Sequence, residues 1–150
     1  MFASILVGTD GSETAQTAVR RAIELAAGLH ARLQIVSAYE PVADQRPRGG
    51  GGRLGAPEDV QWLINPHEDA LALLEQARAE ALQAGVAEVE TFARQGDAAD
   101  AILDVAEEQG CDLVVVGNKG MTGAKRFLLG SVPNKVSHDA PCSVLIVRTT

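Results

Sequence analysis

The chain has 150 residues, a formal net charge of −7 and an apolar fraction of 46% with 3% aromatics. A chain of this length buries roughly 68–70% of its unfolded surface without covalent staples, and here the core must be aliphatic. The acidic balance excludes a non-specific nucleic-acid or membrane surface and leaves polyanion binding only to a local pocket of donors or a metal ion.

In chain order, Ser4-Ile5-Leu6-Val7 is an apolar run that stops at Gly8-Thr9-Asp10-Gly11-Ser12. The run predicts a buried strand, and the cluster after it a turn that feeds a helix. Ser12 is the predicted N-cap, and Glu13 suits the positive end of the helix dipole. Ala15, Ala18, Val19, Ala22, Ile23 and Ala26 recur at helical spacing as one apolar face. Residues 32–39 predict a second strand, so the opening is a βαβ unit with parallel strands and a right-handed crossover. Residues 44–57 lose all core periodicity and carry Gly49-Gly50-Gly51-Gly52 among arginines, which predicts a surface loop over about 42–65.

The helical pattern returns over residues 67–84 with Ala70, Leu71, Leu74, Ala77, Ala81 and Leu82 as its apolar face and Gly85 as its stop. Residues 86–93 alternate apolar with polar, as a half-exposed strand near a sheet edge does. Asp97 is the next N-cap, and Ala98, Ala101, Ile102, Val105 and Ala106 give a buried helical face ended by Gly110. Leu113-Val114-Val115-Val116 is a strand buried on both faces. A glycine-rich loop follows, then a helix from Ser131 to about Asp139, then a strand, Ser143-Val144-Leu145-Ile146-Val147. Five strands alternating with four helices make an α/β doubly wound domain spanning 1–150. Cys111 and Cys142 flank apolar runs without metal-ligand spacing, as buried thiols in a reducing compartment do. No charged-then-apolar leader occurs and no apolar run approaches the ~18 residues of a membrane span, so a cytoplasmic location is expected. His30, His67 and His138 share no spacing for metal or catalysis, and Trp62 reads as a packing residue near the loop.

In an open parallel sheet, ligands bind beyond the carboxyl ends of the strands, where the winding reverses. The unusual residues sit at two such ends: Gly8 to Ser12 after the first strand, and the Gly117 loop after the fourth. A GxxxxGK[ST] P-loop is absent, and so is a GxGxxG after the first strand. What occurs is Gly117-x2-Gly120-x9-Gly130-Ser131. On this G-x2-G-x9-G-[ST] spacing, together with Val7-Gly8-Thr9-Asp10-Gly11-Ser12, Gly96-Asp97 and Ala140-Pro141-Cys142-Ser143-Val144-Leu145-Ile146-Val147, the sequence resembles the ATP-binding branch of the universal stress proteins.

The resemblance implies a Rossmann-like five-stranded parallel sheet of order 3-2-1-4-5 with helices on both faces. It also implies an adenine nucleotide (ATP, or AMP/ADP), with Mg²⁺. Gly117 and Gly120 would let backbone approach the ribose and phosphates, while Gly130, Ser131 and Val132 would offer N–H groups and a hydroxyl to the β/γ-phosphates. Asp10 and Thr9, after Gly8, would meet the adenosine half, with a ribose hydroxyl or bridging metal as the sensible partner of the carboxylate. Ala38 falls where backbone meets adenine, and Asn118 lies in the loop. Ser131 also suits an ordinary N-cap, and Lys119, Lys125 and Arg126 read as solvated charges, the last two also able to support phosphates.

Hydrolysis needs an oriented water, a base and charge stabilisers, and no residue presents itself as that base. A nucleotide-dependent sensor or regulatory dimer in stress response is therefore expected rather than an enzyme. The alternatives are a non-nucleotide-binding interaction dimer of the same fold, or a PP-loop-like adenylating enzyme. The latter takes an SGGxDS-type loop where this chain has Gly8-Thr9-Asp10-Gly11-Ser12. The last strand, Val144 to Val147, is an apolar edge expected to pair two copies as a homodimer.

Overall fold

The computed structural model describes residues 1–39, 67–118 and 129–149. The expected loop at 42–65 with Trp62, and Lys119, Gly120, Gly123, Lys125 and Arg126, lie outside them. Among the described residues five strands and four helices alternate: β1 (Ser4–Gly8), α1 (Glu13–Leu29), β2 (Arg32–Tyr39), α2 (His67–Gln83), β3 (Val89–Gln95), α3 (Ala98–Gln109), β4 (Leu113–Gly117), α4 (Ser131–Asp139) and β5 (Ser143–Val147). All four strand pairings are parallel, and the sheet order is β3-β2-β1-β4-β5.

Side chains alternate between the faces of a strand, so a sheet covered on both sides needs unbroken apolar runs. Ile5, Val7, Leu33, Ile35, Leu113 and Val115 face the core shared with α1 and α2. Leu6, Val36, Val114 and Val116 face the core shared with α3 and α4. The alanines of α1 that point inward, Ala18, Ala22 and Ala26, are fully or almost fully buried, which lets that helix lie close to β1 and β4.

The helix ends follow the local chemistry. The Ser12 hydroxyl accepts from the Ala15 N–H at 3.2 Å and the Asp97 carboxylate from the Asp100 N–H at 3.1 Å. Such caps each contribute about 1 kcal/mol. Past α2, Gly85 takes a positive φ of 103°, its N–H reaching the Leu82 carbonyl and that of Val86 the Ala81 carbonyl, both at 3.1 Å. That pattern is a Schellman stop, and it corrects the start of the third strand: Val86 is buried as the closing residue of the helix stop, so β3 begins at Val89 rather than at 86. The apolar face of α2 is also narrower than expected. Ala70, Leu74, Ala77 and Ala81 face the sheet, whereas Leu71 and Leu82, each one residue and about 100° further round, are half exposed. α1 ends on His30 in the left-handed region (φ 57°), a position the sequence left unassigned.

At the amino end of the sheet a polar cluster is closed on itself. Gln34 is fully buried, with Nε2 donating to the Ile5 carbonyl at 3.0 Å and to Ser4 Oγ at 3.1 Å, and Oε1 accepting from Arg32 Nε at 3.2 Å. The Arg32 guanidinium also donates to the Gln109 carbonyl at 2.8 Å. The Asp112 carboxylate accepts the N–H groups of Ala3 and Ser4, both at 3.0 Å. Burial pushes that carboxyl upward, but the backbone N–H groups of Ala3, Ser4 and Asp112 itself together outweigh it and hold it below the usual range. Cys111 is buried and Cys142 partly so; both thiols are free, and burial raises both above the ordinary thiol value.

Candidate functional site

The site begins where two strands part. β1 and β4 pair from Ile5↔Leu113 to Val7↔Val115 and no further. β1 instead runs on beside β2 to Gly8↔Val36, and the Thr9 N–H then donates to the Val36 carbonyl at 2.9 Å. β4 runs on beside β5 to Gly117↔Val147, and the Asn118 N–H donates to the Val147 carbonyl at 2.9 Å. Each central strand follows its outer neighbour, so a crevice opens at the carboxyl edge between them. This is the point where strand order reverses, from β1 outward to β2 and β3 on one side and to β4 and β5 on the other.

On the β1 side, the loop is folded by its own side chains. Asp10 Oδ1 accepts from the Ser12 N–H at 2.9 Å, Thr9 Oγ1 from the Gly11 N–H at 3.2 Å, and Gly11 has φ 85°. These local bonds fix Thr9 and Asp10 in place at the crevice. A Cβ at Gly8 would lie 2.7 Å from Ile102 Cδ1 of α3, so that side chain would have to shift to admit one. Ala38, near the end of β2, is half-buried beside this loop and pairs with Arg94 of β3. Beyond it Tyr39 stacks on His67 at the start of α2, ring centroids 4.3 Å apart, so His67 has a packing role.

On the β4 side, the geometry changes two of the expected roles. Gly130, not Ser131, is the N-cap of α4, with φ −63° and ψ 166°, and no side chain caps the helix. Ser131 is the first helical residue, exposed, so its hydroxyl is not used as a cap. The Gly130 N–H is engaged as well, donating to the Asn118 carbonyl at 2.9 Å. It is therefore not a donor available to a ligand. Pro133 has no N–H, and Asn134 is already bonded back to the Gly130 carbonyl at 3.0 Å. The first-turn donors without an intrahelical partner are thus the N–H groups of Ser131 and Val132.

A residue the sequence gave no reason to choose completes this side. Thr149 donates its N–H (2.8 Å) and its hydroxyl (2.7 Å) to Asn118 Oδ1. Asn118 is therefore a linker as much as a loop residue. The only available signal was the parallel pairing of β4 with β5, which brings the residues after the two strands side by side.

The structure brings Gly8, Thr9, Asp10 and Ala38 to one side of the crevice and Gly117, Asn118, Gly130, Ser131 and Val132 to the other; Gly120 is outside the described residues. The donor set suits an anion at the start of α4: two backbone N–H groups and a serine hydroxyl at the positive end of a helix dipole. Among the described residues no group of three His, Cys, Asp or Glu side chains is placed to hold a metal ion. No helix among them is long and apolar enough to cross a membrane.

Comparison with known proteins identifies the family. The model of the universal stress protein family matches residues 1–148. The chain is 39% identical over 149 residues to a universal stress protein of Thermus aquaticus, covering 99% of this chain and all of that one. It is 36% identical over 149 residues to universal stress protein Rv1636 of Mycobacterium tuberculosis, covering 99% and 98% of the two. Among solved structures, a universal stress protein in complex with cAMP is 34% identical, with a TM-score of 0.73 over 99% of each chain. The chain belongs to the universal stress protein family.

Proposed function

We propose that this protein binds an adenine nucleotide across the crevice between β1 and β4 and acts as a nucleotide-dependent sensor or regulatory dimer. The observation that carries the reading is the pair of N–H groups of Ser131 and Val132, which have no partner among the described residues, with the exposed Ser131 hydroxyl, at the place where the sheet splits. Gly130 strengthens it. Its φ is one that any residue adopts, so glycine is not required there by backbone conformation, and close approach of a ligand supplies the reason. A structural neighbour's complex with cAMP supports the same ligand class.

The phosphates lie at the α4 start and the adenosine half runs past Asp10 and Thr9 toward the Ala38 backbone. With a triphosphate, Mg²⁺ would be held chiefly by the phosphate oxygens and would offset part of their charge. One helix terminus contributes only about 0.3–1 kcal/mol to an anion. Micromolar affinity needs about −8 kcal/mol, so adenine burial and further contacts share the work. The chain binds and releases rather than hydrolyses: its phosphate donors stand on the α4 side, and Asp10, the carboxylate of the β1 loop, stands on the adenosine side. The edge strand β5, with Leu145 and Ile146 each 38% exposed, pairs with its copy in a second chain.

The test is to denature the purified protein and search the supernatant for ATP, ADP or AMP by mass spectrometry, then titrate the stripped protein with Mg-ATP by calorimetry. Released nucleotide, or one site per chain at micromolar affinity, is expected. No released nucleotide and no heat at millimolar Mg-ATP would leave a non-nucleotide interaction dimer as the better reading.

A further inference from the structure

We propose that Thr149 is a positioning residue for this site, acting through Asn118 on the start of α4. The proposal rests on the nucleotide reading but concerns a residue outside the crevice. Among the described residues Asn118 makes four hydrogen bonds: its N–H to the Val147 carbonyl (2.9 Å), its carbonyl from the Gly130 N–H (2.9 Å), and its Oδ1 from both the N–H (2.8 Å) and the hydroxyl (2.7 Å) of Thr149. Two donors on one side-chain oxygen also fix which way the carboxamide lies, because its NH₂ cannot accept.

Gly130, the N-cap of α4, hangs on the Asn118 carbonyl. The aim of the Ser131 and Val132 N–H groups therefore depends on Asn118, and that of Asn118 depends on Thr149. Preorganised donors bind an anion without the cost of being ordered by it. The coupling is reciprocal by linkage. A ligand that fixes the α4 start tightens the Asn118–Thr149 pair, and anything that draws the segment after β5 away loosens the α4 start. β5 lies at the edge of the sheet, so a strand docked on that edge acts at the same place.

Thr149→Val removes the hydroxyl donor but keeps the shape and the N–H, and Thr149→Ser restores the donor. Without ligand, the Gly130 amide is expected to exchange several-fold faster in Thr149→Val than in wild type, with Thr149→Ser close to wild type and the amides of Ile5 and Leu33 unchanged. Mg-ATP affinity should fall by about 3- to 10-fold in Thr149→Val, the size of one hydrogen bond, and recover in Thr149→Ser. Unchanged Gly130 exchange, or faster exchange with unchanged affinity, would overturn the relay. A wild-type chain that does not bind Mg-ATP would overturn the nucleotide reading itself, while the ligand-free exchange still decides whether Thr149 holds Gly130.

Discussion

The two ends of the sheet are built from similar polar residues put to opposite use. At the amino end, Ser4, Arg32, Gln34 and Asp112 bond to one another and to backbone, and Gln34 is fully buried among them. At the carboxyl end, Thr9 and Asp10 make local bonds and Asn118 bonds to distant residues, but those bonds border a crevice, and the Ser131 and Val132 N–H groups at the helix start have no partner among the described residues. A closed network contributes stability and is costly to break, because each lost partner strands a buried group. An open set of donors contributes little to folding and is free to be satisfied by a ligand. Polarity alone does not mark a functional site; unspent hydrogen-bonding capacity does.

The largest effect separating the two ends is expected at Gln34. Gln34→Ala removes a fully buried carboxamide, leaves the Ile5 carbonyl, Ser4 Oγ and Arg32 short of partners, and opens a void. Unfolding in urea should show a loss of about 2–4 kcal/mol. Nucleotide affinity of the folded fraction should stay as in wild type; a large affinity change would mean that the two ends are not independent.

Gly130→Val should give the converse. Its backbone angles suit valine, so a stability loss under about 1 kcal/mol is expected for a changed N-cap. Nucleotide affinity should fall at least about tenfold, equivalent to about 1.4 kcal/mol, because a branched side chain blocks approach to the α4 start. Calorimetry and urea unfolding on the same preparation check both halves.

The smallest effect is a pH dependence confined to the amino end. The Asp112 carboxyl is held below its ordinary value in the folded chain, so the unfolded chain binds its proton more readily. Its contribution to stability is complete above the ordinary aspartate value of about 3.9 and is lost as pH falls through the lower folded value. Acid unfolding followed by circular dichroism should show this, and Asp112→Asn should flatten that part of the curve while leaving nucleotide binding at neutral pH unchanged.

Much of this was legible in the residues. The apolar runs at Ser4–Gly8 and Leu113–Gly117 could only be strands buried on both faces, and Ser12 and Asp97 announced helix starts that the hydrogen bonds bear out. The family was legible in the glycine spacing. What escaped depends on angles and neighbours that a linear pattern does not carry. Leu71 and Leu82 match helical spacing yet sit one position off the buried line of alanines. Val86 looks like the first residue of a strand but is taken by the Schellman stop. Ser131 is a better cap by residue type than Gly130, yet the chain enters α4 one residue earlier and leaves the serine hydroxyl exposed. The Asn118–Thr149 bonds span 31 positions and follow from strand pairing, which no local motif encodes.

The measurement that bears most directly on the crevice is a titration of ¹⁵N-labelled protein with Mg-ATP, followed amide by amide. The Ser131 and Val132 signals, with Thr9 and Asp10, should move and saturate together at one nucleotide per chain, while those of Ser4, Gln34 and Asp112 stay in place. Silence at Ser131 and Val132 up to millimolar Mg-ATP, or shifts concentrated at the amino end, would contradict the assignment of the carboxyl crevice as the binding site.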